Sequence, residues 1–75
     1  MNERQILEIK KRLKQSRKNN SLTISQMAEG VNVSNMAVYK WENVANTALP
    51  TLDHIIEICR FLNVTADWLL FGKGE

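Results

Sequence analysis

The stretch that decides the fold is Leu22-Thr-Ile-Ser-Gln-Met-Ala-Glu-Gly-Val31-Asn-Val-Ser34-Asn-Met-Ala-Val-Tyr-Lys-Trp41-Glu-Asn43. Thr23 is a natural N-cap, and apolar residues return after it at helical spacing, which predicts a short helix ending near Val31. Asn32 tolerates the left-handed backbone that closes a helix, and Ser34 is a second N-cap two residues later. The pattern therefore predicts two short helices with almost no linker, the second covering residues 35 to about 43.

Helical spacing continues before this stretch and lapses after it. The segment from about residue 3 to residue 19 carries Ile6, Ile9 and Leu13 on one stripe, and its basic residues are predicted to lie on the other faces. Residues 44–50 are predicted to form a loop, because they lack periodicity and end in the chain's one proline.

Two more helices are predicted beyond that loop. Thr51 is placed to cap a fourth helix, and Thr65 to cap a last short one over residues 66–71 that Gly72 ends. The buried stripe of the fourth helix is expected to comprise Leu52, Ile55, Ile56, Cys59 and Leu62. No segment shows a strand pattern. The sequence therefore predicts an all-α fold of five helices, forming a single domain over residues 1–75.

The composition leaves room for one small domain. Its 75 residues are 44% hydrophobic and 24% charged, which is an ordinary globular balance with one modest core. A chain of this size has little space for a deep catalytic cleft, and the sequence pairs no nucleophile with a base, so we expect no enzymatic activity and no cofactor. His54 has no second ligand at metal spacing and is expected to be a surface residue, so no metal site is predicted.

Cysteine use and hydropathy indicate a soluble, cytoplasmic chain. Cys59 is the only cysteine, which excludes an internal disulfide and fits a reducing compartment. The first residues lack the apolar core of a signal peptide, and no apolar run approaches the length of a bilayer span.

Charge is distributed unevenly along the chain. The net charge of +2 divides into +4 over residues 1–43, from eight basic and four acidic residues, and −2 over residues 44–75. A basic half suits a polyanionic partner, although a solvated basic helix face would give the same count.

The central block resembles the helix-turn-helix of the phage repressor and Cro family. Ala28 and Asn32 match the family's small residue at the helix crossing and its turn residue four positions later. The family's apolar positions are matched by Met27, Val31, Val33, Val38 and Trp41. The segments Pro50-Thr-Leu and Leu62-Asn-Val-Thr-Ala-Asp67-Trp-Leu-Leu-Phe-Gly72 are similar to the family's closing helices. The resemblance spans roughly residues 13–72 and implies a lambda-repressor-like DNA-binding domain.

The resemblance implies that the third helix enters the major groove of double-stranded DNA. The residues then expected to read bases are Asn35, Met36, Ala37, Tyr39 and Lys40. Asn35 suits a bidentate bond to adenine, Lys40 a bond to guanine or phosphate, and Met36 an apolar contact to a thymine methyl. A solvated surface helix would present the same positions, but Met36 and Tyr39 are poor choices for solubility alone.

A second set of residues is expected to contact DNA phosphates, which carry much of the affinity of such proteins. The set consists of Lys14, Lys18, Thr23, Ser25, Gln26, Asn43, Asn46 and Thr47. The family often opens the second helix with a phosphate-binding Gln; Ile24 holds that position here, so the contact is absent or moves to Ser25 or Gln26. For the two lysines, a solvated helix face is nearly as good an interpretation.

Other conspicuous residues are assigned to the scaffold. Arg17 and Glu42 match a family ion pair that ties the first helix to the end of the third. Trp41 and Trp68 are expected in the core.

The size of the chain favours a dimer, because one recognition helix reads only a few base pairs. The apolar last helix suggests a weak homodimer contact through Leu49, Leu70 and Phe71, and hence a palindromic operator. The leading hypothesis is therefore a sequence-specific transcriptional repressor. The alternative is a helical protein-interaction module, antitoxin-like or anti-repressor, that keeps the fold without reading bases. The sequence does not separate a phage repressor, an antitoxin, a restriction controller and the first part of a longer repressor.

Overall fold

The computed structural model describes residues 1–74 and folds them into five α-helices without a strand. These helices are α1 (Glu3–Asn19), α2 (Ile24–Gly30), α3 (Asn35–Glu42), α4 (Leu52–Leu62) and α5 (Ala66–Phe71). The predicted all-α class and the predicted number of helices are confirmed. Among the described residues, no helix combines the length and the apolar character needed to span a bilayer.

Most helices begin where a polar side chain caps the first turn. Thr23, Ser34 and Thr65 each accept a hydrogen bond from the backbone amide three residues later, at 3.0 to 3.1 Å. The prediction for Thr51 was only partly right. Thr51 occupies the N-cap position of α4 but makes no cap bond, because its hydroxyl lies 3.2 Å from Nδ1 of His54 instead.

His54 departs from its predicted place at the surface. Its ring is half-buried, and its centroid lies 5.4 Å from that of Trp41 in a tilted aromatic pair. The imidazole therefore helps to pack the start of α4 against the buried face of α3.

Helix ends use the left-handed backbone conformation that the sequence predicts. Asn32 follows α2 with φ of 58°, Asn63 follows α4 with φ of 57°, and Gly72 ends α5 with φ of 72°. Asparagine is the residue besides glycine that adopts this conformation most readily. The turn between α2 and α3 is consequently short, and the two helices pack directly on each other.

The core is built from the apolar stripes of all five helices. Its buried members are Ile9, Leu13, Met27, Ala28, Val31, Val38, Trp41, Ile55, Ile58, Leu62 and Leu69. Trp68 is half-buried against them. Cys59 is also half-buried, and burial raises the pKa of its thiol.

The predicted stripe of α4 was wrong in part. Ile55, Ile58 and Leu62 are buried, whereas Leu52 is 72% exposed and Ile56 is also exposed. Apolar residues cover a wide arc of this helix, so spacing alone did not select the arc that packs inward. Phe61 packs over Gly30, where a side chain on the glycine would overlap its ring, and this contact fits the observed rotation of α4.

Asn32 provides a test of the turn that joins α2 to α3. Asn32→Ala is expected to lower the free energy of unfolding by about 1 kcal/mol, because a residue with an ordinary Cβ resists the left-handed conformation. Asn32→Gly should be neutral or slightly stabilising. Thermal unfolding followed by circular dichroism measures both, and equal losses for the two variants would contradict the backbone explanation.

Candidate nucleic-acid interface

Helix α3 turns one polar and aromatic face to solvent. Val38 and Trp41 are buried on its inner side. The exposed side carries Asn35, Met36, Tyr39 and Lys40. Met36 is 60% exposed and Tyr39 is 56% exposed, so two large side chains stand in water instead of covering the core.

Ala37 does not belong to this exposed face. It is half-buried and packs against the core, because it lies one residue before Val38 and one helical turn before Trp41. The structure thus separates Ala37 from the other residues predicted to read bases.

A groove of about 410 Å³ lies beside this face, between α1, α2 and α3. It is lined by Lys11, Lys14, Arg17, Ile24, Tyr39, Glu42, Asn43 and Val44. The groove brings Lys14 of α1 together with Tyr39 and Asn43, which are distant in sequence. Predicted contacts to bases and to phosphates therefore meet around one surface feature.

Lys11 is a groove residue that the sequence analysis missed. It precedes Lys14 by three positions and Lys18 by seven, so the three lysines share one face of α1. All three side chains are exposed, although Lys18 does not line the groove. The repeated helical spacing of like charges is the signal that identifies Lys11.

The start of α2 is closed by a reciprocal capping box. The backbone amide of Gln26 donates to Oγ1 of Thr23 at 3.0 Å, and the amide of Thr23 donates to Oε1 of Gln26 at 2.9 Å. The hydroxyl hydrogen of Thr23 and the side-chain nitrogen of Gln26 remain as donors, with exposed Ser25 between them.

Arg17 and Glu42 meet at the base of the groove. Nε of Arg17 lies 2.7 Å from Oε2 of Glu42, and a second guanidinium nitrogen lies 3.0 Å from Oε1. Arg17 also donates to the carbonyl oxygen of Leu22 at 2.7 Å. The hydrogen bond to Glu42 raises the pKa of Arg17 despite its burial. One guanidinium thus joins α1 to the end of α3 and to the segment before α2.

The expectation that the basic residues of α1 lie on its outer faces was wrong for Lys10. Its side chain is 0% exposed. The ammonium donates to the carbonyl oxygens of Lys40 at 2.8 Å and Trp41 at 3.2 Å, to Oδ1 of Asn46 at 2.9 Å, and to the carbonyl oxygen of Ala48. Burial lowers the pKa of the Lys10 ammonium, because desolvation disfavours the charged form.

Arg12 has a comparable role at another helix end. Its guanidinium donates to the carbonyl oxygens of Leu69 at 2.8 Å and Leu70 at 3.2 Å, near the end of α5. Arg12 is half-buried, so it too departs from the predicted solvent face.

The loop after α3 is held by its own side chains. Oδ1 of Asn43 accepts from the amide of Ala45, and Oδ1 of Asn46 accepts from both Lys10 and the amide of Ala48. The predicted phosphate contact of Asn46 is therefore restricted to its side-chain nitrogen, because its oxygen faces inward. Thr47 is exposed at the tip of the loop.

The three residues predicted to form a dimer contact are not equally exposed. Leu49 and Leu70 are half-buried and pack against the core, whereas Phe71 is 64% exposed. Phe71 lines a groove with Arg12 and other residues of α1. Only Phe71 of the three leaves most of its apolar surface in solvent.

Comparison with known proteins assigns the family. The helix-turn-helix family model matches residues 13–69, and the chain belongs to this family. A relative from Enterococcus faecalis, described as the HTH-type transcriptional activator BcrR, is 36% identical over 67 residues, which are 89% of this chain and 32% of that relative. The chain thus spans about a third of the relative's length. No solved structure matches the chain.

The ion pair at the base of the groove can be tested by stability. Glu42→Gln is expected to lower the free energy of unfolding by about 3 kcal/mol, because it leaves the buried Arg17 without its counter-charge. Replacing both residues, as Arg17→Met with Glu42→Leu, should recover part of that loss. Urea unfolding followed by circular dichroism measures the three proteins, and a double variant less stable than Glu42→Gln would contradict the coupling.

Proposed function

We propose that this chain is a sequence-specific, double-stranded DNA-binding transcription regulator that inserts α3 into the major groove. The supporting observation is the joint exposure of Asn35, Met36, Tyr39 and Lys40 beside a groove rimmed by lysines of α1. The major groove of B-DNA is wide enough to admit one α-helix. Membership of the helix-turn-helix family supports the same arrangement. Such a role needs no enzymatic activity and belongs in the cytoplasm, with the chromosome.

Base reading is assigned to the exposed side chains of α3. Asn35 lies in the first turn, where recognition helices contact base edges, and its amide matches the donor and acceptor of adenine. Lys40 donates to guanine or to a phosphate, Met36 contacts thymine methyls, and Tyr39 donates from its hydroxyl or packs on a sugar. Ala37 is left out because it packs inward.

Phosphate binding is assigned to the groups that surround this face. Lys11, Lys14 and Lys18 supply charge from α1, and the start of α2 supplies Thr23, Ser25 and the side-chain nitrogen of Gln26. Asn43, Thr47 and the nitrogen of Asn46 complete the set from the loop. Contacts from three segments would fix the angle at which α3 enters the groove.

The proposed assembly is a weak homodimer on a palindromic operator. Phe71 is the main apolar group available for the contact, and Leu49 and Leu70 would add their exposed edges. Two copies related by a two-fold axis would place their α3 helices in successive turns of the major groove.

The proposed regulatory effect is repression, through occupation of a promoter. Activation is the second candidate, since the relative from Enterococcus faecalis is described as an activator. A promoter–reporter fusion carrying the selected operator separates the two: expression that rises when the gene is deleted supports repression, and expression that falls supports activation.

Removal of the proposed base contacts is expected to weaken specific binding. Asn35→Ala and Lys40→Ala should each raise the Kd for the operator by roughly tenfold or more, in line with about 1–3 kcal/mol for a good base contact. Both side chains are exposed, so the circular dichroism spectrum should not change. The operator is first selected from random DNA, and fluorescence anisotropy then measures Kd.

Arg60→Ala on α4 serves as the matched control, because it removes an exposed charge from a helix outside the proposed interface. Failure of the wild-type chain to enrich any sequence would refute base reading. Capture of a protein partner with no DNA shift at low salt would favour the protein-interaction alternative.

The dimer is tested with Phe71→Ala. The substitution should leave the fold intact and abolish cooperative binding of two copies to the palindrome, as measured by sedimentation of the DNA complex. Leu52→Ala is the control, because Leu52 is 72% exposed on α4 and lies outside the proposed contact. A wild-type chain that stays monomeric both in solution and on palindromic DNA would overturn the assembly.

A further inference from the structure

Lys10 connects two segments that both belong to the proposed interface. Its ammonium donates to the last carbonyl oxygens of α3, from Lys40 and Trp41, and to two oxygens of the following loop, from Asn46 and Ala48. The side chain itself is 0% exposed. It holds both segments from the inside and cannot reach DNA.

All four oxygens that Lys10 contacts are uncharged, being three backbone carbonyls and one amide. The last carbonyls of a helix lack intrahelical partners and carry the negative end of the helix dipole. A buried ammonium therefore suits this place without a carboxylate. It also fixes where α3 ends and where the loop begins.

We propose that Lys10 is a positioning residue for DNA binding: it fixes the loop of residues 43–48 against the end of α3, so that base contacts and phosphate contacts are made together. This inference rests on the proposed function. Without the ammonium, the carbonyl oxygens at the end of α3 and Oδ1 of Asn46 would lose their shared donor. The loop would then move independently of the helix that reads the bases.

The salt dependence of binding separates this role from a direct contact. Each phosphate contact releases counterions and adds about 0.9 to the slope of log K against log salt concentration. A residue that is fully buried makes no such contact itself. A shallower slope after substitution of Lys10 therefore reports contacts that the loop has lost.

The decisive comparison is between Lys10→Met and Arg12→Met. Both remove one positive charge from α1 and the bonds that it makes to the end of a helix, but Arg12 serves α5. Lys10→Met is expected to raise Kd for the operator about tenfold relative to Arg12→Met, as for loss of one or two hydrogen bonds at the interface. Its salt slope should be smaller by about 1. Equal Kd values and equal slopes for the two folded variants would overturn the proposal.

Hydrogen exchange provides a readout that needs no DNA. In Lys10→Met, the amides of Asn46 and Ala48 should exchange at least tenfold faster than in Arg12→Met, because the loop has lost its anchor. If the wild-type chain selects no DNA sequence, the proposed function fails, and this result still shows whether Lys10 holds the loop. Unchanged exchange at both amides would refute that anchoring.

A second variant covers the case in which Lys10→Met does not fold. Asn46→Ala removes the oxygen that Lys10 and the amide of Ala48 share, while the ammonium keeps its backbone partners. Compared with Thr47→Ala, which also removes one polar side chain from the loop, it should speed exchange at Ala48 and weaken operator binding further. If the two variants bind the operator equally and show equal exchange at Ala48, the proposal is wrong.

Discussion

The structure depends on hydrogen bonds between cationic side chains of α1 and the polar ends of much shorter helices. Helices α2, α3 and α5 have six to eight residues each, which is too short for stability in isolation. Lys10 and Arg12 donate to the last carbonyls of α3 and α5, and Arg17 holds Glu42 at the end of α3. A cation at a helix C-terminus is favourable both for the dipole and for carbonyls without partners. Apolar packing alone would hold these helices together but would fix their directions less closely.

This use of charge changes the meaning of the basic half of the chain. The excess of +4 over residues 1–43 suggests a polyanion-binding surface, yet three of its cations are turned inward or half-buried. Lys11, Lys14, Lys18 and Lys40 are the exposed lysines on α1 and α3. Among the described residues no buried side-chain nitrogen or oxygen lacks a partner, so the inward cations are accommodated at the cost of desolvation only.

The sequence predicted the features that depend on neighbouring residues. The caps at Thr23 and Ser34 and the left-handed turn at Asn32 involve atoms within a few positions, so the helix bounds and the helix-turn-helix followed from local chemistry. The inward arc of α4 and the place of Lys10 depend on contacts far along the chain. The partners of Lys10 are 30 to 38 residues away, and no local pattern predicts which loop oxygen will meet an ammonium.

The register of α1 nevertheless carried a signal for both roles of its lysines and arginines. Lys10, Leu13 and Arg17 follow one another at three and four residues and form the buried stripe. Lys11, Lys14 and Lys18 repeat the same spacing one position later and are exposed. A rotation of α1 by one residue, about 100°, would exchange an anchor of α3 for a charge on the groove. The direction of the recognition helix and the charge beside it are therefore set by a single packing decision, namely which face of α1 meets the core.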